Sequence, residues 1–142
     1  MGDAFKFKQS GDLDPALSDP VTRQMAADQL IGEWVNTNLD THGIITIEIA
    51  RNDGYLSVQL KGAGSDGPIE WPAARATPFA NLEEEAGQRA IALAATYDLG
   101  FMKAETYFRL NKGVLVIVLF AAFHDGSGRS NYLNREFFSR KA

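Results

Sequence analysis

The chain has 142 residues, enough for one domain whose core needs no disulfide or metal staple. Hydrophobic residues make up 45% and charged residues 23%, ordinary for a globular protein, and a formal net charge of −4 with no concentrated basic face argues against nucleic acid as a partner. Cysteine is absent, which excludes disulfides, thiolate catalysis and sulfur-ligated zinc.

Residues 1–18 are polar, rich in Asp, Gly, Ser and Pro, and read as a flexible leader ahead of a single domain over 19–142. The opening MGDAFKFKQSGD lacks the basic-then-apolar profile of a secretory signal. The longest apolar run, Val114 to Phe123, is too short to cross a bilayer as a helix, so a cytoplasmic protein with no membrane partner is expected. In SDPVTRQMAADQLIG, Ser18 or Asp19 can cap free backbone N–H groups and Pro20 suits a first turn. The spacing predicts a short N-terminal helix over Asp19 to Ile31, ended by Gly32.

From Gly32 the hydrophobic period changes to two. GEWVN opens the first strand. HGIITIEIAR sets Ile45, Ile47 and Ile49 against Thr46, Glu48 and Ala50, and YLSVQLKG sets Leu56, Val58 and Leu60 on one face. Between them Asn52-Asp53-Gly54 is a hairpin turn, because Asn and Gly tolerate positive φ. IEWPAARATPFA reads as one irregular strand broken by Pro72 and Pro78. RAIALAATYDL, FMKAETYFRL, VLVIVLFAAFH and SNYLNREFFSR follow, with a second hairpin turn at Asn111-Lys112-Gly113 and a third tight turn at Asp125 to Gly128. The class is all-β. Eight strands with short hairpins are the profile of an up-and-down antiparallel barrel or a sandwich.

Gly32-Glu33-Trp34 on the first strand, just after a short predicted helix, resembles the calycin group: lipocalins, fatty-acid-binding proteins and avidins. The resemblance implies an eight-stranded antiparallel up-and-down β-barrel in which Trp34 plugs one end. It also implies an arginine from the last strand lying over the ring, for which Arg135 in NYLNREFF is the candidate. Gly32-x-Trp34-x-Asn36 looks like the avidin opening, where the asparagine touches the ligand. The later tryptophans of an avidin pocket have no counterpart beyond Trp71, so no biotin site is expected.

A barrel of this size holds either side chains or one small molecule. If Ala90, Ala92, Ala94, Ala104, Ala121 and Ala122 point inward they leave room. If Ile91, Leu93, Phe108 and Phe120 do, the centre is filled, and one residue of register decides between the two. The strand VLVIVLFAAF is apolar on both faces, so its outer face needs cover. The helix at Asp19 to Ile31 or a second subunit could supply it, and a homodimer is expected.

The weak catalytic candidates are Glu105, Tyr107 and His42, the last in the loop Asp40-Thr41-His42-Gly43. Glu105, Tyr107 and Arg109 share one strand face and could form a polar floor, while Asn36, Trp71 and Tyr97 are further ligand-binding candidates, Trp71 as a rim aromatic. His42 and His124 do not make a metal site, and neither metal nor cofactor is expected. The leading expectation is binding of a small, largely apolar molecule inside the barrel. The alternatives are a cyclase or isomerase using the same cavity, and a non-catalytic interaction module.

Overall fold

The computed structural model of the chain describes residues 25–82 and 89–142. Among the described residues nine strands form: β1 (Gly32–Asn36), β2 (Ile44–Asn52), β3 (Tyr55–Gly62), β4 (Ile69–Glu70), β5 (Ala74–Ala80), β6 (Ala90–Asp98), β7 (Met102–Asn111), β8 (Val114–Phe123) and β9 (Tyr132–Arg140). Eight of them close an antiparallel ring in the order β1-β2-β3-β5-β6-β7-β8-β9, with β9 pairing back onto β1. The two-residue β4 is an extra ribbon on the end of β3. Closure pairs the first strand with the last, so among the described residues neither is a free sheet edge along its whole length, the main liability of an all-β chain.

Local chemistry sets the connections. Asp53-Gly54 and Lys112-Gly113 are two-residue turns between the paired residues Asn52 and Tyr55 and between Asn111 and Val114. Both turns have positive φ at both positions, 39° and 88° in the first and 52° and 81° in the second, as a hairpin matched to strand twist requires. Pro72 divides the expected fourth strand, IEWPAARATPFA, into β4 and β5. Pro78 is accommodated because the β3 pairing of β5 stops at Ala76, leaving one neighbour there. The expected tight turn at Asp125 is instead a longer connection, residues 124–131. Its Asp125 carboxylate accepts from the Ser127 amide at 3.0 Å and from Arg129 at 2.5 Å. Hydrogen bonds from Ser127, then from Arg129, hold the Asp125 carboxyl down to about 2.

The predicted helix is not formed where it is described. Residues 25–31 carry a parallel bridge from Ala26 to Arg89 and a turn in which the Leu30 and Ile31 amides donate to the Ala27 carbonyl. The Ala90 amide donates to the Ala26 carbonyl at 2.8 Å, and Ala27 and Leu30 are buried. Sheet-like pairing and burial across the barrel end thus replace a helix too short to hold itself. The rest of that helix, and the leader 1–18, lie outside the described residues.

The open question of register is answered by burial. Leu93, Ala95 and Tyr97 of β6, Met102, Ala104, Thr106 and Phe108 of β7, and Leu115, Ile117, Leu119 and Ala121 of β8 face inward. On β6 the partners of Phe79 and Ala80 are Ala92 and Ala90, so Ile91 is bulged out and Ala90 turns inward while Ala92 and Ala94 stay on the outer side. Phe120 also faces out, 45% exposed. A cavity able to hold a ligand would leave its lining accessible to a water-sized sphere. Ile47, Val58, Leu60, Ala104, Thr106 and Leu115 are at 0%, and Phe108 and Leu93 at 1%. Side chains fill the barrel's centre.

Candidate interaction surface

Two ends and one outer face hold the residues singled out in the sequence. At one end Trp34 is buried and its indole N–H donates to the Leu30 carbonyl at 3.0 Å. The guanidinium over its ring, 4.4 Å from the centroid, is that of Arg140, not Arg135. Trp34 and Arg140 are direct cross-strand partners, whereas Arg135 lies on the opposite side of β9 and stacks over Phe137 at 5.0 Å. Arg140 also donates to the carbonyls of Ile31, at 2.6 Å, and Gln29, fastening the entering chain across the barrel end. Gly32 makes room for this: its φ is 139°, and a Cβ there would stand 2.5 Å from an Arg140 nitrogen. The glycine and the tryptophan of the opening motif therefore serve one contact.

At the other end Asn36 is buried and committed to the fold. Its amide donates to the Ile44 carbonyl at 2.8 Å and to Glu136 at 2.7 Å. Glu136 has no sequence signal that marked it, yet its carboxylate is the hub of this end. It accepts from Asn36 and the Thr41 hydroxyl on one oxygen, and from the Ile44 amide at 3.0 Å and Asn134 at 2.8 Å on the other. Gly43 passes so close that a Cβ would collide with the carboxylate. The network ties the β1–β2 loop to β9 across the barrel mouth. Four donors occupy the carboxylate, so it has little capacity left to bind a ligand. His42 is exposed on this loop and lines a shallow depression with Glu136, Asn134 and Tyr132.

Trp71 and Tyr97 meet edge to face beside the same mouth, ring centroids 5.4 Å apart. The Tyr97 hydroxyl donates to the Val58 carbonyl at 2.9 Å, and burial pushes its phenol well above the ordinary value. The pair packs the mouth rather than walling a cavity.

Glu105, Tyr107 and Arg109 do share a face, but it is the outer face of β7, with Tyr107 47% exposed. The Tyr107 hydroxyl donates to Glu105 only at 3.5 Å. Three rows cross the outside of β6, β7, β8 and β9 here. Thr96, Glu105, Phe120 and Leu133 form one, Ala94, Tyr107, Val118 and Arg135 the next, and Ala92, Arg109, Val116 and Phe137 the third. Tyr107 and Phe120 stand edge to face, 6.3 Å apart. Because Ala92 is small, a groove of about 750 Å³ opens between Phe79, Tyr107 and Arg109, floored by Val116 and Val118. Among the described residues neither Arg109 nor Arg135 forms an ion pair.

Strand β9 carries its chemistry inverted. Asn134 and Glu136 point into the barrel, while Leu133, 58% exposed, and Phe137 point out. His124 follows β8, its amide donating to the Phe101 carbonyl at 2.8 Å. Among the described residues no three His, Asp or Glu side chains gather closely enough to hold a metal ion, and no helix is long and apolar enough to cross a membrane. No family model matches the chain, and no curated protein or solved structure matches it either.

Proposed function

We propose that this protein is a non-catalytic interaction module and that its working surface is the outer face of β6–β9. The observation that carries the reading is the pairing of a filled interior with an inverted β9. Core packing explains inward Leu, Ile and Phe, but it gives no reason for Leu133 and Phe137 to face outward beside Tyr107, Phe120 and Val118. A contiguous apolar patch rimmed by charged groups is what a protein-binding surface presents. Tyr and Arg, here Tyr107, Arg109 and Arg135, are the side chains that most often dominate such contacts.

Turnover fits this geometry less well. Glu105, Tyr107 and Arg109 stand in open solvent, where water is not excluded from any developing charge. A small apolar ligand, the other reading of the sequence, would have to use the same surface, in the groove between Phe79 and Tyr107. The opening motif with Arg140 over Trp34 supports a calycin-like barrel as the scaffold.

The test is site-specific photo-crosslinking in the producing cell. A crosslinking side chain at Leu133 or Phe120 should give a protein adduct of defined mass. The same group at Leu39, 88% exposed in the β1–β2 loop, should give none. Equal yields at all three positions would remove the surface from consideration.

A further inference from the structure

Resting on that reading, we propose that the partner is a second copy of this chain. The two copies dock face to face about a two-fold axis that lies in the interface and crosses β7, β8 and β9 at Tyr107, Val118 and Arg135.

The argument is self-complementarity. In a two-fold interface the same patch serves both copies, so residue i must suit residue j and j must suit i. An axis perpendicular to the strands stacks β7 on its copy in the opposite direction. Residues equally far from Tyr107 on either side then face each other. On β7 those residues are Glu105 and Arg109, opposite charges at equal distances from the axis. The pairing occurs twice by symmetry. Among the described residues Arg109 has no carboxylate of its own to satisfy it.

Shape follows the same axis. Phe120 and Leu133, exposed knobs, belong to the row of Glu105, whereas the groove runs from Tyr107 and Val118 on the axis row to Ala92 and Val116 in the row of Arg109. Reversing the strands sets Phe120 of one copy over Val116 of the other, and Leu133 over Phe137. Phe120 of each copy thus enters the other's groove beside Val116, while Leu133 meets the exposed ring of Phe137. Packed sheets also keep their strand directions within about 30° of alignment, which preserves this correspondence across three strands. One contact opposes the pairing: Arg135 meets its own copy on the axis row. This gives the proposal a second, independent signature, since removing that charge should strengthen association.

Sedimentation equilibrium of the full chain tests it, with E105R, R109E and the combined E105R/R109E. Both changed positions, 105 and 109, are on the exposed face, so the fold is expected to hold. The wild-type chain is expected to dimerise, with each single reversal weakening association by on the order of tenfold or more, because it sets like charges opposite each other twice. The double reversal restores it to within a few-fold, and R135Q tightens it. Single reversals without effect, or a double reversal as weak as the sum of the two, overturn the axis. A wild-type chain monomeric at about 100 μM, well above ordinary cellular concentrations, overturns the second copy as partner. The interaction-module reading fails separately: a crosslinked adduct at Leu133 with a mass other than twice the chain keeps that reading while rejecting this one.

Discussion

The outer faces of the two halves of this barrel differ although their inner faces are alike. Across β2 and β3 the outward pairs are Thr46 with Lys61, Glu48 with Gln59, and Ala50 with Ser57, a polar surface suited to water. Across β8 and β9 they are Val116 with Phe137, Val118 with Arg135, and Phe120 with Leu133. Inside, both halves contribute the same kind of residue: Ile47, Ile49, Val58 and Leu60 on one side, Phe108, Leu115, Ile117 and Leu119 on the other. Folding requires only the inner sets, because they alone are removed from water within the domain. The outer apolar rows are not needed to fill the core; on the interaction-module reading proposed above they are the surface that meets another molecule.

Substitutions can break this comparison in order of effect. The largest is expected inside. Trp34→Ala removes a buried aromatic and the platform for Arg140, and should cost about 3–5 kcal/mol in a denaturant titration. Next is the mouth. Glu136→Ala leaves the donors of Asn36, Thr41, Asn134 and Ile44 without their acceptor. A loss of about 2–3 kcal/mol is expected, with faster amide exchange at Ile44, since each stranded donor retains its desolvation cost. If stability is unchanged, the carboxylate is not the latch described above.

Smaller still is the contrast between two arginines of β9. Arg140→Ala should destabilise by about 1 kcal/mol through lost contact with Trp34, while Arg135→Ala stays within about 0.5 kcal/mol. Thermal melts of the two variants at matched protein concentration would separate them, and equal losses would erase the distinction between the inner and outer sides of the strand. The smallest effect sharpens the comparison most. Leu133→Ser should leave the stability of the monomer within about 0.5 kcal/mol although it deletes a large apolar side chain. The same change at Leu119, buried in β8, should be severe.

Much of the fold was legible in the sequence because local chemistry and period agreed. Asn52-Asp53-Gly54 and Asn111-Lys112-Gly113 fix two hairpins, and alternation gives β3 and β7 their inward faces directly. What was not legible depends on pairing. The bulge at Ile91 reverses which alanines of β6 face inward, and nothing in that strand's own residues announces it. The short helix fails at residues 25–31 because Ala26 has Arg89 as a sheet partner, a residue more than sixty positions away. The arginine over Trp34 was misplaced by five residues. Hydrophobic alternation cannot say which side of β9 is inner when that strand puts Glu136 inside and Phe137 outside. Alternation shows that Glu105, Tyr107 and Arg109 share a face, which makes a polar floor only if that face points inward. That the face is the outer one follows from Phe108 and Thr106 filling the interior.

Native mass spectrometry of the full chain, purified gently from its own host, addresses the central claim most directly. A filled barrel that works through its outer face predicts the bare polypeptide mass in each subunit and a dimer as the main species. A mass excess that disappears on denaturation, carried by a monomer, would contradict it: the barrel would then hold a ligand, and the apolar rows of β8 and β9 would need another explanation.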